Sequence, residues 1–278
     1  MKFSKKIVLA LSLCVAGSLI PLQAAPCVSG SLLSNYIGSS CDIGSLTFSF
    51  PLNGFSVIGS TANTTPAGGL TANQVQIFTL FNANGTGFLL APTTAWTALG
   101  GGANTDSELR YVVTGAGLNS IYLEVDGSVT PNSFSHVLEQ YCLGGTTSPP
   151  AGNGSCPGDP NLAQSEFNAS IVGLNGPGDT DGSHPIPDGC SGLSTAVTPT
   201  GAGPSACGIT ATFAAQTSIS VLKDIDVNGG PGGGNGDFAQ ITGVVNQFGP
   251  AVPEPGTYVL SVVGLGLLFL GRRKLSRS

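Results

Sequence analysis

Between Pro26 and Val252, apolar residues recur at every second position in short runs. The runs are Leu46, Phe48, Phe50; Val75, Ile77 and then Phe78 to Phe81; Leu109, Tyr111, Val113; Ile121, Leu123, Val125; Ile219, Val221; and Ile241, Val244. A period of two puts one face of an extended chain into a core and leaves the other polar, so each run predicts a strand. Clusters of Gly, Asn and Pro separate the runs, as turns require. No amphipathic stretch of helical period has comparable clarity, and the pattern predicts an all-β domain, either a β-sandwich or a jelly roll. Two stretches dense in Gly, Pro, Ser and Thr, from Gly144 to Pro160 and from Gly173 to Gly208, predict long loops without a repeat of fixed period.

Both ends of the chain break this pattern. Lys2, Lys5 and Lys6 precede an apolar run from Ile7 to Ile20, and Pro21-Leu22-Gln23-Ala24-Ala25 then supplies small residues at a cleavage distance, which predicts a secretory signal helix over residues 1–25. Proline fixes φ and resists the extended scissile conformation, so the cut is expected after Ala24 rather than between Ala25 and Pro26. The alternative, an uncleaved anchor, needs about 20 apolar residues, more than the run supplies. A lipoprotein is disfavoured because Cys27 follows a proline where a small residue is required. At the other end Val252-Pro253-Glu254-Pro255-Gly256-Thr257 leads into an apolar stretch from Tyr258 to Leu270, followed by Gly271-Arg272-Arg273-Lys274. A helix over residues 256–271 would be about 24 Å long, short of a ~30 Å hydrocarbon core but able to span it with thinning or snorkelling. The basic residues Arg272, Arg273, Lys274 and Arg277 should remain cytoplasmic, with the domain across the membrane. The chain thus divides into a signal peptide (1–25), an exported β-rich domain (26–250) and a C-terminal segment (251–278).

That segment resembles the PEP-CTERM sorting signal of Gram-negative bacteria, also labelled an ice-binding-protein C-terminal motif. The resemblance implies that Pro253, Glu254 and Pro255 are read by an exosortase, a membrane transpeptidase that cleaves nearby and passes the protein to the envelope or extracellular matrix. It concerns sorting and implies nothing about ice. The wider chain is similar to a group of PEP-CTERM proteins that begin with Ala25-Pro26-Cys27, continue to Cys41-Asp42-Ile43-Gly44, and close with Val221-Leu222-Lys223-Asp224-Ile225, Asn228-Gly229-Gly230 and a segment from Ile241 to Phe248. This second resemblance implies no biochemical activity.

Composition supports folding. Only 9% of residues are charged, yet hydrophobic residues reach 41%, beside 42 Gly and 19 Pro. Disordered chains lack apolar residues to bury, and a Ser/Thr/Asn/Gly-covered surface suits strands better than helices. Seven of the nine basic residues lie in the two terminal segments, leaving Arg110 and Lys223 against fourteen acids between Pro26 and Val252. Such a domain repels phosphate backbones, which excludes nucleic acid as a partner. The partners expected are signal peptidase, an exosortase-like transpeptidase, the membrane through the C-terminal helix, and secreted polysaccharide.

Six of seven cysteines follow the signal peptide, an even number in an exported chain, which favours disulfides. Six cysteines allow fifteen connectivities; pairing of sequence neighbours gives Cys27 with Cys41, Cys142 with Cys156 and Cys190 with Cys207. Zinc is the rival, opposed by the lack of any Cys-x-x-Cys spacing and by only two histidines. No metal and no cofactor is expected.

Asp224-Ile225-Asp226-Val227-Asn228-Gly229 matches the opening of a calcium loop, but Asn235 stands at the twelfth position where a bidentate Glu belongs. The apolar residues between the acids predict a strand running into a turn, with the acids solvated. Asp179-Thr180-Asp181-Gly182 reads as a turn. His136 is expected on the polar face of a strand, and neither it nor His184 sits in a nucleophile context. Glu124 and Asp126 share a strand face at a spacing usual for solvated acids. The sequons at Asn63, Asn84, Asn153 and Asn168 are common in so Asn- and Thr-rich a chain. No enzyme is expected. The function expected is a noncatalytic envelope or matrix protein; the alternative is a carbohydrate-binding module presenting Trp96, Tyr111, Tyr122 and Tyr141.

Overall fold

The structure is a computed structural model that describes residues 24–60, 64–65, 67–100, 102–130, 133–145, 156, 165–172, 205–230 and 237–249, with backbone alone at 60, 65, 166–168, 170–172 and 205–207. Its strands are β1 (Ser31–Leu32), β2 (Ser39–Ile43), β3 (Leu46–Phe50), β4 (Phe55–Ser60), β5 (Thr64–Thr65), β6 (Val75–Asn82), β7 (Gly85–Pro92), β8 (Trp96–Leu99), β9 (Asn104–Val129), β10 (Phe134–Leu143), β11 (Ser165–Val172), β12 (Ser205–Asn228) and β13 (Phe238–Gly249). All six alternating runs fall on strands, and the domain is all-β.

Two long strands organise the others. β9 and β12 pair antiparallel over almost their whole lengths, from Asn104 opposite Asn228 to Gly127 opposite Ser205. Both are several times longer than an ordinary strand and both turn a corner. β9 turns at Gly115 and Gly117, the latter at φ 73°, where a side chain would be strained. β12 turns through register shifts between Thr212 and Ser218. Beyond the corner, the edge of β9 that is not taken by β12 changes partner: β3 and β4 flank its first half, and β13 its second. One continuous sheet therefore folds back into two layers. The first runs β11-β10-β12-β9 and then β3 and β4, with β2 outside β3; the second runs β12-β9-β13-β7-β6-β1, with β8 and β5 beside the start of β13.

The core lies between the layers. Along β9 every odd position from Thr105 to Val113 and from Ile121 to Val129 is buried, as an alternating sequence dictates. Phe48 of β3 and Tyr111 of β9 meet Phe88 of β7 and Phe248 of β13, with ring centroids 5.4 to 6.3 Å apart across the layers. Each such ring contributes about 2–3 kcal/mol by burial, and each edge-to-face pair adds about 1 kcal/mol.

Two disulfides tie this frame. Cys27–Cys41 holds the N-terminal segment on β2, where Cys27 N–H donates to Asp42 O and Asp42 N–H to Ala25 O, both at 2.9 Å. Cys142–Cys156 clamps the chain leaving β10. Both are the expected pairings; Cys190 lies outside the described residues, and Cys207 is described only as backbone opposite Val125. The second predicted loop ends too late: β12 begins at Ser205, because its ladder with β9 runs on to Gly127 and carries the chain through Gly208 as strand. The signal helix, the tail helix and most of both predicted loops lie outside the described residues, whereas Ala24 and Ala25 open them. Among the described residues no helix is long and apolar enough to cross a membrane.

Candidate functional site: a buried Lys–Glu–Asn group

A connected group of three polar side chains lies within the core. In the first layer Lys223 of β12 lies opposite Glu139 of β10, and both point inward with no exposure. Their neighbours in phase are Val221 and Ile225 on one strand and Val137 and Tyr141 on the other, all buried. Lys223 Nζ donates to Glu139 Oε2. From the facing layer, Asn246 of β13 donates through Nδ2 to Glu139 Oε1 at 3.2 Å and to the Tyr122 carbonyl at 3.2 Å. Its Oδ1 is buried and accepts no hydrogen bond. The Tyr111 hydroxyl is likewise buried without a partner, and burial together with the Glu139 charge pushes it well above the usual phenol range. Burial lowers Lys223 from its usual value, while the Glu139 charge and hydrogen bond pull it back up.

Sequence reasoning passed over this group, although a signal was present. In Ile219-x-Val221-x-Lys223-x-Ile225 a lysine stands in core phase, as do a glutamate in Val137-x-Glu139-x-Tyr141 and an asparagine in Val244-x-Asn246-x-Phe248. Charged residues are rarely fully buried unless paired, so three polar intrusions in core phase point to one another.

The acids singled out from sequence lie on outer faces. Asp226 is opposite Asp106 and Asp224 opposite Glu108, so four carboxylates form a block on the first layer. Asn104 Nδ2 donates to Asp226 Oδ1 at 2.9 Å, His136 Nδ1 lies 3.9 Å from Asp226 Oδ2, and Arg110 pairs with Glu108 at 2.7 Å. The strand runs into a turn as expected, with Asn228 Oδ1 accepting from Gly230 N–H at 2.8 Å. The acids are not simply solvated, however. Burial, reinforced by a hydrogen bond to Asp106 and by the neighbouring negative charges, pushes Asp224 up to about 9, and Asp106 is raised chiefly by burial. On the second layer Tyr122 donates to Glu124, and Asp126 is raised by burial and then by Glu124. Among the described residues no three His, Cys, Asp or Glu side chains are grouped to hold a metal.

Of the four aromatic candidates, Trp96, Tyr111 and Tyr141 are core residues, and Trp96 Nε1 donates to buried Ser107 Oγ at 3.3 Å. Tyr122 alone stands on an outer face. His136 takes the expected outward position on β10. His184, Asp179, Asp181, Asn63 and Asn153 lie outside the described residues; Asn84 is in the β6–β7 turn and Asn168 on β11.

Residues 251–277 match the family model of the PEP-CTERM protein-sorting motif. The C-terminal end of the chain thus carries a PEP-CTERM protein-sorting motif, and the match spans Pro253, Glu254, Pro255, Arg272, Arg273 and Lys274. This motif implies export and an envelope association. No curated protein matches the sequence. Among solved structures, the enzymatically active domain of tailspike protein 4 of bacteriophage CBA120 aligns at 8% identity and TM-score 0.27, over 71% of this chain and 20% of that one. TmCBM61 in complex with β-1,4-galactotriose aligns at 8% identity and TM-score 0.25, over 75% of this chain and 91% of that one. Neither superposition is close enough to carry an argument about this chain.

Proposed function

We propose that the protein is a noncatalytic component of the envelope or extracellular matrix, and that an exosortase-like transpeptidase releases it from its tail near Pro253-Glu254-Pro255. The match at 251–277 carries this reading. The frame supports it mechanically: β13 ends at Gly249, only four residues before Pro253, and is held between β9 and β7. Four extended residues reach about 14 Å, so the folded domain stands close to the site of cutting. The strand leading to the tail is central, and its ladder does not depend on the tail. On this proposal the prolines would hold the motif extended, and the apolar stretch with the Arg272-Arg273-Lys274 stop would set its height at the membrane.

The test is fractionation of the native host expressing the wild-type protein and Glu254→Ala. The wild type should accumulate in the envelope or medium without its apolar tail, and the variant as a full-length membrane form. Identical fractionation and identical length for the two would overturn the sorting role of Glu254. Binding on a glycan array that is lost in Tyr122→Ala would instead establish a polysaccharide-binding surface.

A further inference from the structure

The buried group has the makings of a reaction rather than only a contact. We infer that Lys223 and Asn246 condense into an intramolecular amide bond that ties the two layers together, with Glu139 carrying the protons. This reading is independent of the sorting proposal.

The first support is juxtaposition. One carboxylate holds the amine on Oε2 and the carboxamide on Oε1, so nucleophile and electrophile are immediate neighbours from opposite layers. Fixing two reactants in this way turns a sluggish bimolecular exchange into a unimolecular one, worth many orders of magnitude in rate. The second support is burial. Lys223, Glu139 and Asn246 have no exposure, and they lie among Val221, Ile225, Val244 and Phe248. A dry site favours the neutral partners over the ion pair, so the Lys223 proton passes along the existing bond to Glu139 and leaves a nucleophilic amine. The lowered affinity of Lys223 for its proton agrees with this. The third support is the orphaned Asn246 Oδ1, an acceptor buried without a donor. Such a group in a well-packed core calls for an explanation. Once Glu139 is protonated, a half-turn of the carboxamide brings Oδ1 to its O–H, which polarises Cγ for attack.

The atoms balance. The Lys223 Nζ–Asn246 Cγ bond forms, the Cγ–Nδ2 bond breaks, and Nδ2 leaves as ammonia. Nζ gives up two of its three protons through Glu139: one departs on the ammonia, and the other remains on Glu139 as the carboxylic acid. Nothing is oxidised or reduced. The reaction occurs once, within its own chain, and joins β12 to the strand that leads directly to the tail. It replaces a buried ion pair, which contributes little net stability, by a covalent tie.

The experiment is mass spectrometry of the full chain purified from its host, intact and after denaturing digestion. The wild type should be lighter by one ammonia than its sequence and disulfides require. Trypsin has only Arg110 and Lys223 to cut between Pro26 and Val252 and should fail at Lys223, while chymotryptic cleavage after Phe238 should leave the Lys223 and Asn246 peptides joined. A wild-type mass at the full linear value with cleavage after Lys223 would overturn the inference. So would loss of ammonia at Asn246 with Lys223 free, which marks a cyclic imide. Glu139→Gln keeps the shape and removes the proton carrier; it should give the linear mass and a cleavable Lys223. A bond that still forms in this variant would overturn the role of Glu139. The wild-type measurement stands even if the variants fail to fold.

Discussion

Asp224→Asn should stabilise the domain, and increasingly so as pH rises. Asp224 shares a hydrogen bond with Asp106, faces Glu108 across the ladder, and has its affinity for a proton raised by burial from 3.8 to about 9. Between about pH 4 and pH 9 the folded chain therefore keeps a proton that the unfolded chain has lost, and stability falls as pH rises through that window. One full proton corresponds to about 1.4 kcal/mol per pH unit. Over the three units from pH 5 to pH 8 the limit is about 4 kcal/mol; because the titration belongs to the Asp106–Asp224 pair and part of it falls inside this window, roughly 2 kcal/mol is expected. Urea unfolding of both proteins under non-reducing conditions at pH 5, 6, 7 and 8 measures the difference, since other titrations are common to both. The two should nearly coincide at pH 5, with the variant about 2 kcal/mol more stable at pH 8. Parallel stability curves, or a variant less stable at pH 8, would refute the shared-proton account of the acidic block.

Other perturbations have definite sizes. Replacing Cys27 and Cys41 together by Ala opens a loop with a sequence separation of 14, at a cost of about 3 kcal/mol, seen as a melting temperature lower by about 6–12 °C. Phe48→Ala empties a fully buried site lined by Phe88, Tyr111 and Phe248, and should cost about 3–5 kcal/mol in urea unfolding. Micromolar free calcium should leave the melting temperature unchanged, because Asp224 and Asp226 are committed to Asp106, Asn104 and the strand face; a rise of more than a few degrees would show a real site.

Strand alternation was legible in the sequence because it is a local property: Leu46 to Phe50 and Leu109 to Val113 declare their buried faces without reference to any partner. The two disulfides were legible because short loops bring Cys27 to Cys41 and Cys142 to Cys156 whatever the fold. The length of β9 was not, since Gly115 and Gly117 read as a turn between two strands and act as a corner within one. The first half of β12, from Ser205 to Ser218, carries little alternation, and its extended form comes from a ladder with β9 partners 78 or more positions earlier, such as Gly127 opposite Ser205. The aromatic candidates failed for a related reason: composition shows that Trp96 and Tyr141 exist, but only the layering shows that they fill the core. Lys223, Glu139 and Asn246 were each visible as polar residues in apolar phase, yet their meeting depends on which strands face one another, which no single run specifies.

The central claim, export of a folded β-sandwich followed by removal of its sorting tail, is tested most directly at the C-terminus of the mature protein. Peptide mapping of the protein recovered from the envelope or medium of its native host should find an end near Pro255 and no peptide from the apolar stretch between Tyr258 and Leu270. A mature pool that ends at Ser278 would reduce the tail to an ordinary membrane anchor and contradict the account.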